Sequence, residues 1–373
     1  MMNAPAVGTD FSLRFFDVLI GVDPARRQGK TGQQEQAQQR TLLAVEAAAR
    51  KARMADAKAK EQFGEFAQAH LHDQVADLLA ERLTSLEDVK ASLFDLTPDF
   101  YALLDLLSAK AVTLNQLDPA IKKVPWLVED LLKLINQPKY RGRTASGGLI
   151  KDVKTGLRFL GLETLQLIIP LYGMKRCMPH STEPFHGLKN VLWEYSLATA
   201  NAARTLAELY REHPYTAFCS GLFHTLGHVA VVRSYLRTYQ QVKRDELLKA
   251  REARDIKLID ALDVLEPEAD FLSEQLTEHA AVLSADLTSR WGLQRLPLCQ
   301  TLDQLAEGVG YSGASPMARV VQQAQTFVQW QQLKKRQRLE PAEMQSMLKA
   351  VGMTKDALQL LVQTNLLKLD VEG

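Results

Sequence analysis

The chain has 373 residues, 46% hydrophobic and 24% charged, which is typical of a soluble globular protein with a sizeable core. Its 45 Lys and Arg residues nearly cancel its 44 Asp and Glu residues, so the formal charge of +1 argues against a whole-chain polyelectrolyte partner such as duplex DNA. Cys177, Cys219 and Cys299 lie far apart, which argues against a disulfide framework or a zinc ribbon and favours a reducing cytoplasm.

Apolar runs in the sequence are short. The longest, around Leu165 to Met174, contains Pro170 and is too short to span a bilayer. The apolar stretch from Phe11 to Val22 lacks the basic start and the cleavage site of a signal peptide. We therefore expect a soluble, cytoplasmic protein with no membrane association.

Residues 1–24 form a short lead with apolar side chains at helical spacing. These are Phe11, Phe15, Leu19 and Val22. Such a stripe fits a terminal element docked on the body of the protein, and it equally fits a peptide that binds a partner or a second subunit. Residues 25–34 are polar, contain two glycines and are typical of a linker.

A long helix is predicted from about residue 33 to residue 83, where no proline interrupts the chain. Apolar residues recur along it at alternating steps of three and four: Leu42, Val45, Ala49, Ala52, Ala59, Phe63 and Phe66. A stripe this narrow needs a neighbouring helix, from the same chain or from a second subunit. A homodimer through this helix is therefore one predicted arrangement.

Helical periodicity continues to the end of the chain, and β-branched alternation is nearly absent, so we predict an all-α fold. Proline signals at Thr97-Pro98, Asp118-Pro119 and Val124-Pro125 predict breaks between short helices. Two basic clusters are interpreted as solvated surface, which leaves no predicted nucleic-acid partner. They comprise Lys139, Arg141, Arg143, Lys151 and Lys154, and then Lys334, Lys335, Arg336 and Arg338.

The most informative segments are GLFHTLG, from Gly221 to Gly227, and LWEYSLATA, from Leu192 to Ala200. They resemble the HDOD family, a signalling-associated branch of the HD metal-dependent phosphohydrolases. Weaker matches at 131–136, 157–162 and 279–293 extend the resemblance over about residues 90–305. In HD enzymes, histidines and aspartates hold a metal that activates water for attack on a phosphate ester.

The chain departs from this family pattern at the metal ligands. His224 matches the histidine of the His-Asp pair, but Thr225 stands where the aspartate belongs and Tyr195 stands where the upstream histidine belongs. A threonine hydroxyl is a much weaker ligand than a carboxylate, and a tyrosine poorly replaces an imidazole. The resemblance thus implies a degenerate site with no bound metal, no cofactor and no catalytic residue.

Two neighbouring residues are candidates for a pocket at this site. His228 follows His224 by four residues, which is the spacing of two-histidine zinc motifs, but the glutamate of those motifs is missing and Gly227 is expected to end or kink the helix. Cys219 lies nearby and is interpreted as a packing residue and not as a nucleophile.

The resemblance implies an HD-like multi-helical domain at 90–305, preceded at 1–89 by a lead, linker and long helix, and followed at 306–373 by a helical extension. The implied function is that of a non-catalytic bacterial regulatory protein that contacts other signalling proteins. Alternatives are a phosphohydrolase with a reorganised ligand set and a nucleotide sensor that uses the emptied pocket. The predicted contact surface comprises Phe11, Phe15, Leu19, Leu42, Phe63 and Phe66.

Overall fold

The computed structural model describes residues 7–22, 44–87, 89, 96–137 and 149–368. Every regular element in these ranges is a helix, which confirms the predicted all-α class. The helices are α1 (Val7–Ile20), α2 (Ala44–Thr84), α3 (Pro98–Leu107), α4 (Leu114–Lys122), α5 (Pro125–Ile135), α6 (Val153–Cys177), α7 (Leu188–Tyr210), α8 (Pro214–Phe223), α9 (Leu226–Glu252), α10 (Ile256–Val264), α11 (Ala269–Ser289), α12 (Leu298–Ala306), α13 (Pro316–Lys335), α14 (Pro341–Ala350) and α15 (Lys355–Gln363). In the described part of the chain, no helix combines the length and apolarity needed to cross a membrane.

Proline marks several helix starts, because its missing N–H costs nothing in the first turn. Pro98 and Pro125 open α3 and α5, as predicted. The break predicted at Asp118-Pro119 is wrong, since Pro119 lies inside α4. There the capping box of Thr113 and the burial of the apolar face of α4 hold the helix together despite the missing donor.

The core is built from long helices in close contact: α7 packs on α8, α9 packs on α11, and α13 packs across α7. The helix break expected near Gly227 lies just before it, because α8 ends at Phe223 and α9 begins at Leu226, with Gly227 in its first turn. A Cβ there would overlap the carbonyl oxygen of Ala280 and lie 2.7 Å from the amide nitrogen of Ser284, both on α11. The glycine is therefore required by the close approach of two helices.

Replacing Gly227 by alanine is expected to lower the free energy of unfolding by about 3 kcal/mol, because α9 and α11 must move apart to admit the methyl group. Gly64→Ala is the matched control: nothing lies within 4 Å of the added Cβ on α2, and the change removes glycine from a helix interior. It is expected to stabilise the protein by roughly 0.5 to 1 kcal/mol. Urea unfolding of the two variants measures both effects, and equal effects would contradict the assigned role of Gly227.

Helix α1 lies in the core of the same chain. Phe15 and Leu19 are fully buried, and Phe11 is nearly so, where α1 contacts α7, α11 and α13. This is the docked alternative, and it corrects the assignment of Phe11, Phe15 and Leu19 to a contact surface. Their apolar side chains are already removed from water by their own chain.

The C-terminal extension, confirmed as helical in α13, α14 and α15, holds α1 in place with polar contacts. Arg14 pairs with Glu343 at 2.8 Å. Arg336 and Arg338 donate to the carbonyl oxygens of Val18 and Val22. Part of the basic cluster interpreted as solvated surface therefore binds the end of α1, where helical carbonyls lack intrahelical partners.

The second half of α2 packs on α9 and α10, and its buried side chains are Ala67, Leu71, Val75, Leu79 and Leu83. From Lys58 to Gln62 the side chains face solvent, and Phe66 is 68% exposed. Phe63 is half-buried. Leu42, Lys139, Arg141 and Arg143 lie outside the described residues. The availability of Phe66 to a partner stays a prediction.

Candidate functional site

The structure brings together Tyr195, His224 and His228, which come from α7, the α8–α9 junction and α9. The ring centroid of Tyr195 lies 5.1 Å from that of His224 and 6.1 Å from that of His228. All three side chains are buried. Thr225 is fully buried beside them, so the positions that resemble HD ligand positions do form one cluster.

Thr225 is committed to hydrogen bonds within the core. Its hydroxyl donates to the carbonyl oxygen of Leu222 at 2.9 Å and lies 2.6 Å from the hydroxyl of Ser196. A carboxylate at this position would have offered a charged ligand oxygen, whereas this neutral hydroxyl links α8 to α7. Thr225 therefore serves helix packing.

His224 has a defined tautomer. Its Nδ1 lies 2.7 Å from the carbonyl oxygen of Gly221, which only accepts, so Nδ1 carries the proton and Nε2 does not. Nε2 is buried without a partner in the described part of the chain. Burial, and secondarily the neighbouring His228, lowers the pKa of His224 to about 3, so the ring is neutral at physiological pH.

His228 is buried in the same way. Burial lowers its pKa to about 4, against a smaller upward effect of the backbone of His224. Among the described residues, its Nδ1 also has no hydrogen-bond partner. The cluster thus holds two neutral imidazoles, each with one unpartnered nitrogen.

Tyr195 is fixed from outside the helices that carry the motif. Its hydroxyl accepts a hydrogen bond of 3.1 Å from Nε2 of Gln329, on α13 of the C-terminal extension. Burial raises the pKa of the Tyr195 phenol, which keeps it protonated. A protonated phenol that is hydrogen-bonded to an amide is a poor metal ligand, and here it serves helix packing.

Two aromatic residues of α1 close the cluster. The ring centroid of Phe15 lies 4.6 Å from that of Tyr195, and the ring centroid of Phe16 lies 5.8 Å from that of His228. Sequence reasoning missed Phe16 and Gln329 as members of the site. The only available signal for Phe16 was its place in the apolar stretch from Phe11 to Val22, and nothing marked Gln329.

The residues present do not fit a divalent metal. A structural or catalytic centre needs at least three protein ligands, and the described residues contain no group of three His, Cys, Asp or Glu side chains that could hold an ion. The rings of His224 and His228 pack against Tyr195 and Phe16, and no described carboxylate forms a ligating group with them.

Cys219 lies on α8 and is fully buried. Burial raises the pKa of its thiol to about 12, so it stays protonated and unreactive. This environment agrees with a packing role.

Comparison with known proteins gives one family. The profile of the HDOD domain matches residues 95–295. No curated protein matches the chain.

Two solved structures are distantly similar to this chain. One is a provisionally named phosphohydrolase from Shewanella amazonensis SB2B, with 16% identity over 78% of this chain and 95% of that one, and a TM-score of 0.48. The other is an HDOD domain protein of unknown function from Geobacter sulfurreducens, with 17% identity over 76% of this chain and 93% of that one, and a TM-score of 0.45. The family assignment therefore depends on the profile match.

Proposed function

Because the chain belongs to the HDOD domain family, we propose that it is a non-catalytic regulatory protein of bacterial signal transduction that works through contacts with other signalling proteins. The observation that carries this proposal is the packing of Phe15 and Phe16 against the cluster that resembles an HD metal site. A phosphate ester could not reach His224 or His228 without displacement of α1.

The chemistry of the cluster supports the same proposal. A metal that activates water needs several protein ligand atoms around it and one coordination position left open for the water. Here Tyr195 is bound to Gln329, Thr225 is bound to Leu222, and the remaining imidazoles are buried under aromatic rings. The cluster joins α1, α7, α9 and α13 into one body.

The alternative functions make different demands on the site. A phosphohydrolase with a reorganised ligand set needs a carboxylate beside His224 and His228, and the described residues supply none in a ligating group. A nucleotide sensor needs an open pocket, which would require α1 to leave its place. Among the described residues, the two unpartnered nitrogens are the feature that favours either alternative.

The proposal is tested by metal analysis of the purified protein together with phosphodiesterase assays in added Mn²⁺. We expect neither stoichiometric metal nor activity above the background. His224→Leu is the matched control, because any activity of this site must depend on that imidazole. Stoichiometric metal together with an activity that His224→Leu abolishes would refute the proposal.

The proposal also covers location and assembly. We place the protein in the cytoplasm, where its three free cysteines would stay reduced. We further propose that a second copy of the chain is among its partners, through the N-terminal helix α2.

A further inference from the structure

The first half of α2 extends beyond the helix that supports it. Arg82, near the end of α2, donates to Thr238 and Gln241 of α9. Earlier in α2, Nε2 of His70 lies 3.8 Å from Oε2 of Glu246, which comes later in α9. The two helices are therefore antiparallel, and α9 ends at Glu252, close to the level of Phe66. The part of α2 before Phe66, here called the overhang (Ala44–Phe66), spans roughly 30 Å.

Most described side chains of the overhang are exposed, and two of them are basic. Lys58 and Lys60 are exposed and form no ion pair within the described ranges of the chain, and Phe66, further along the same helix, is 68% exposed. Between Arg50 and Lys60 the sequence has five basic residues and one acidic residue. The overhang therefore combines positive charge with an exposed aromatic ring.

The segment that forms α10 and the start of α11 is acidic. Residues 255–278 contain eight acidic residues and one lysine: Asp255, Lys257, Asp260, Asp263, Glu266, Glu268, Asp270, Glu274 and Glu278. An excess of one charge on this scale favours an oppositely charged partner. The two surfaces belong to the same chain, so two copies can offer them to each other.

One face of α10 adds exposed apolar side chains to this charge. Ile256, Asp260, Asp263 and Val264 fall on one side of the helix at steps of three and four residues, opposite the buried Leu262. Ile256 is 70% exposed and Val264 is 77% exposed. We call these four residues the α10 face. Exposed aliphatic side chains around carboxylates are suited to a basic, amphipathic helix.

The overhang cannot cover the α10 face of its own chain. Helix α10 already packs against α2, and α2 is one continuous helix that leads away from this contact. A second copy has no such restriction. In a two-fold symmetric dimer, the overhang of each copy can contact the α10 face of the other, so the same contact forms twice.

We propose that two copies of the chain associate about a two-fold axis, with the overhang of each lying on the α10 face of the other. This inference rests on the proposed function, in which the protein works through contacts, and it names one partner and the surfaces used. Opposite charges orient the two copies, and Phe66, Ile256 and Val264 supply apolar area at the contact.

The test is a charge exchange followed by light-scattering mass over a range of protein concentrations. The unmodified chain is expected to reach twice 41.7 kDa and to dissociate more readily as salt is raised. Lys58→Glu/Lys60→Glu and Asp260→Lys/Asp263→Lys are each expected to weaken dimerisation about tenfold or more, because each replaces attraction by repulsion. Combining all four substitutions should restore the dimer.

The control is Lys110→Glu/Lys349→Glu, which makes the same change in net charge at exposed sites elsewhere and should leave dimerisation unchanged. Circular dichroism confirms that each variant is folded. A monomeric unmodified chain, a dimer that ignores both reversals, or a loss that the combined variant does not repair would each overturn the inference. These results test self-association only, whereas metal content and phosphodiesterase activity test the non-catalytic role, so failure of one proposal can be distinguished from failure of the other.

Discussion

Acidification from pH 7 to pH 4 is expected to lower the free energy of unfolding by roughly 6 kcal/mol through His224 and His228 alone. Burial lowers the pKa of His224 to about 3 and that of His228 to about 4, whereas both are near 6.5 in an unfolded chain. At a pH between the unfolded and the native pKa values, the two imidazoles are protonated in the unfolded state and neutral in the native state. The stability contributed by the neutral rings is therefore complete above about pH 6.5 and is lost as the pH falls toward the native values.

Urea unfolding at a series of pH values measures this dependence, and variants isolate the contribution of the site from that of the carboxylates. His228→Leu should flatten the slope of unfolding free energy against pH between 6.5 and 4. His180→Gln, a change at an exposed ring, should leave the slope unchanged. If both variants keep the slope of the parent, the two site histidines are not buried as neutral rings.

Phe15→Ala is expected to lower the free energy of unfolding by about 3 to 5 kcal/mol, the range found when a buried phenylalanine leaves a cavity. Phe15 is fully buried, and its ring lies against Tyr195. A helix near a chain terminus is ordinarily a place where substitutions are tolerated. A large effect would therefore show that α1 is part of the core and closes the site.

Phe159→Ala serves as the matched control for this truncation, since it removes the same atoms from an exposed position of α6. Its effect on the free energy of unfolding should stay within about 0.5 kcal/mol. Similar small effects for both variants would show that α1 does not stay on the core in solution, and the closed site would have to be abandoned.

The helical class and the docking stripe of α1 were predictable, because a period of 3.6 residues is written directly in the sequence. The binding place of α1 was not predictable, because the apolar stripe of Phe11, Phe15 and Leu19 would fit an apolar groove of its own chain or of a partner equally well. Only tertiary packing distinguishes the two.

The replaced ligand positions Tyr195 and Thr225 were also visible in the sequence, because the resemblance places them beside His224. Gln329 was not, since it lies far along the chain and reaches Tyr195 only through the packing of α13 on α7. The packing role of Gly227 was not visible for a related reason. Its helix-breaking tendency is local, whereas its role is to admit a neighbouring helix.

The central claim is that the cluster of Tyr195, His224 and His228 is a closed packing site and not a metal centre. Metal content of the purified protein after incubation with Mn²⁺ and removal of free ion tests it most directly. The claim predicts no stoichiometric metal, with the same trace level in the unmodified chain and in His224→Leu. Stoichiometric metal in the unmodified chain that His224→Leu loses would contradict it.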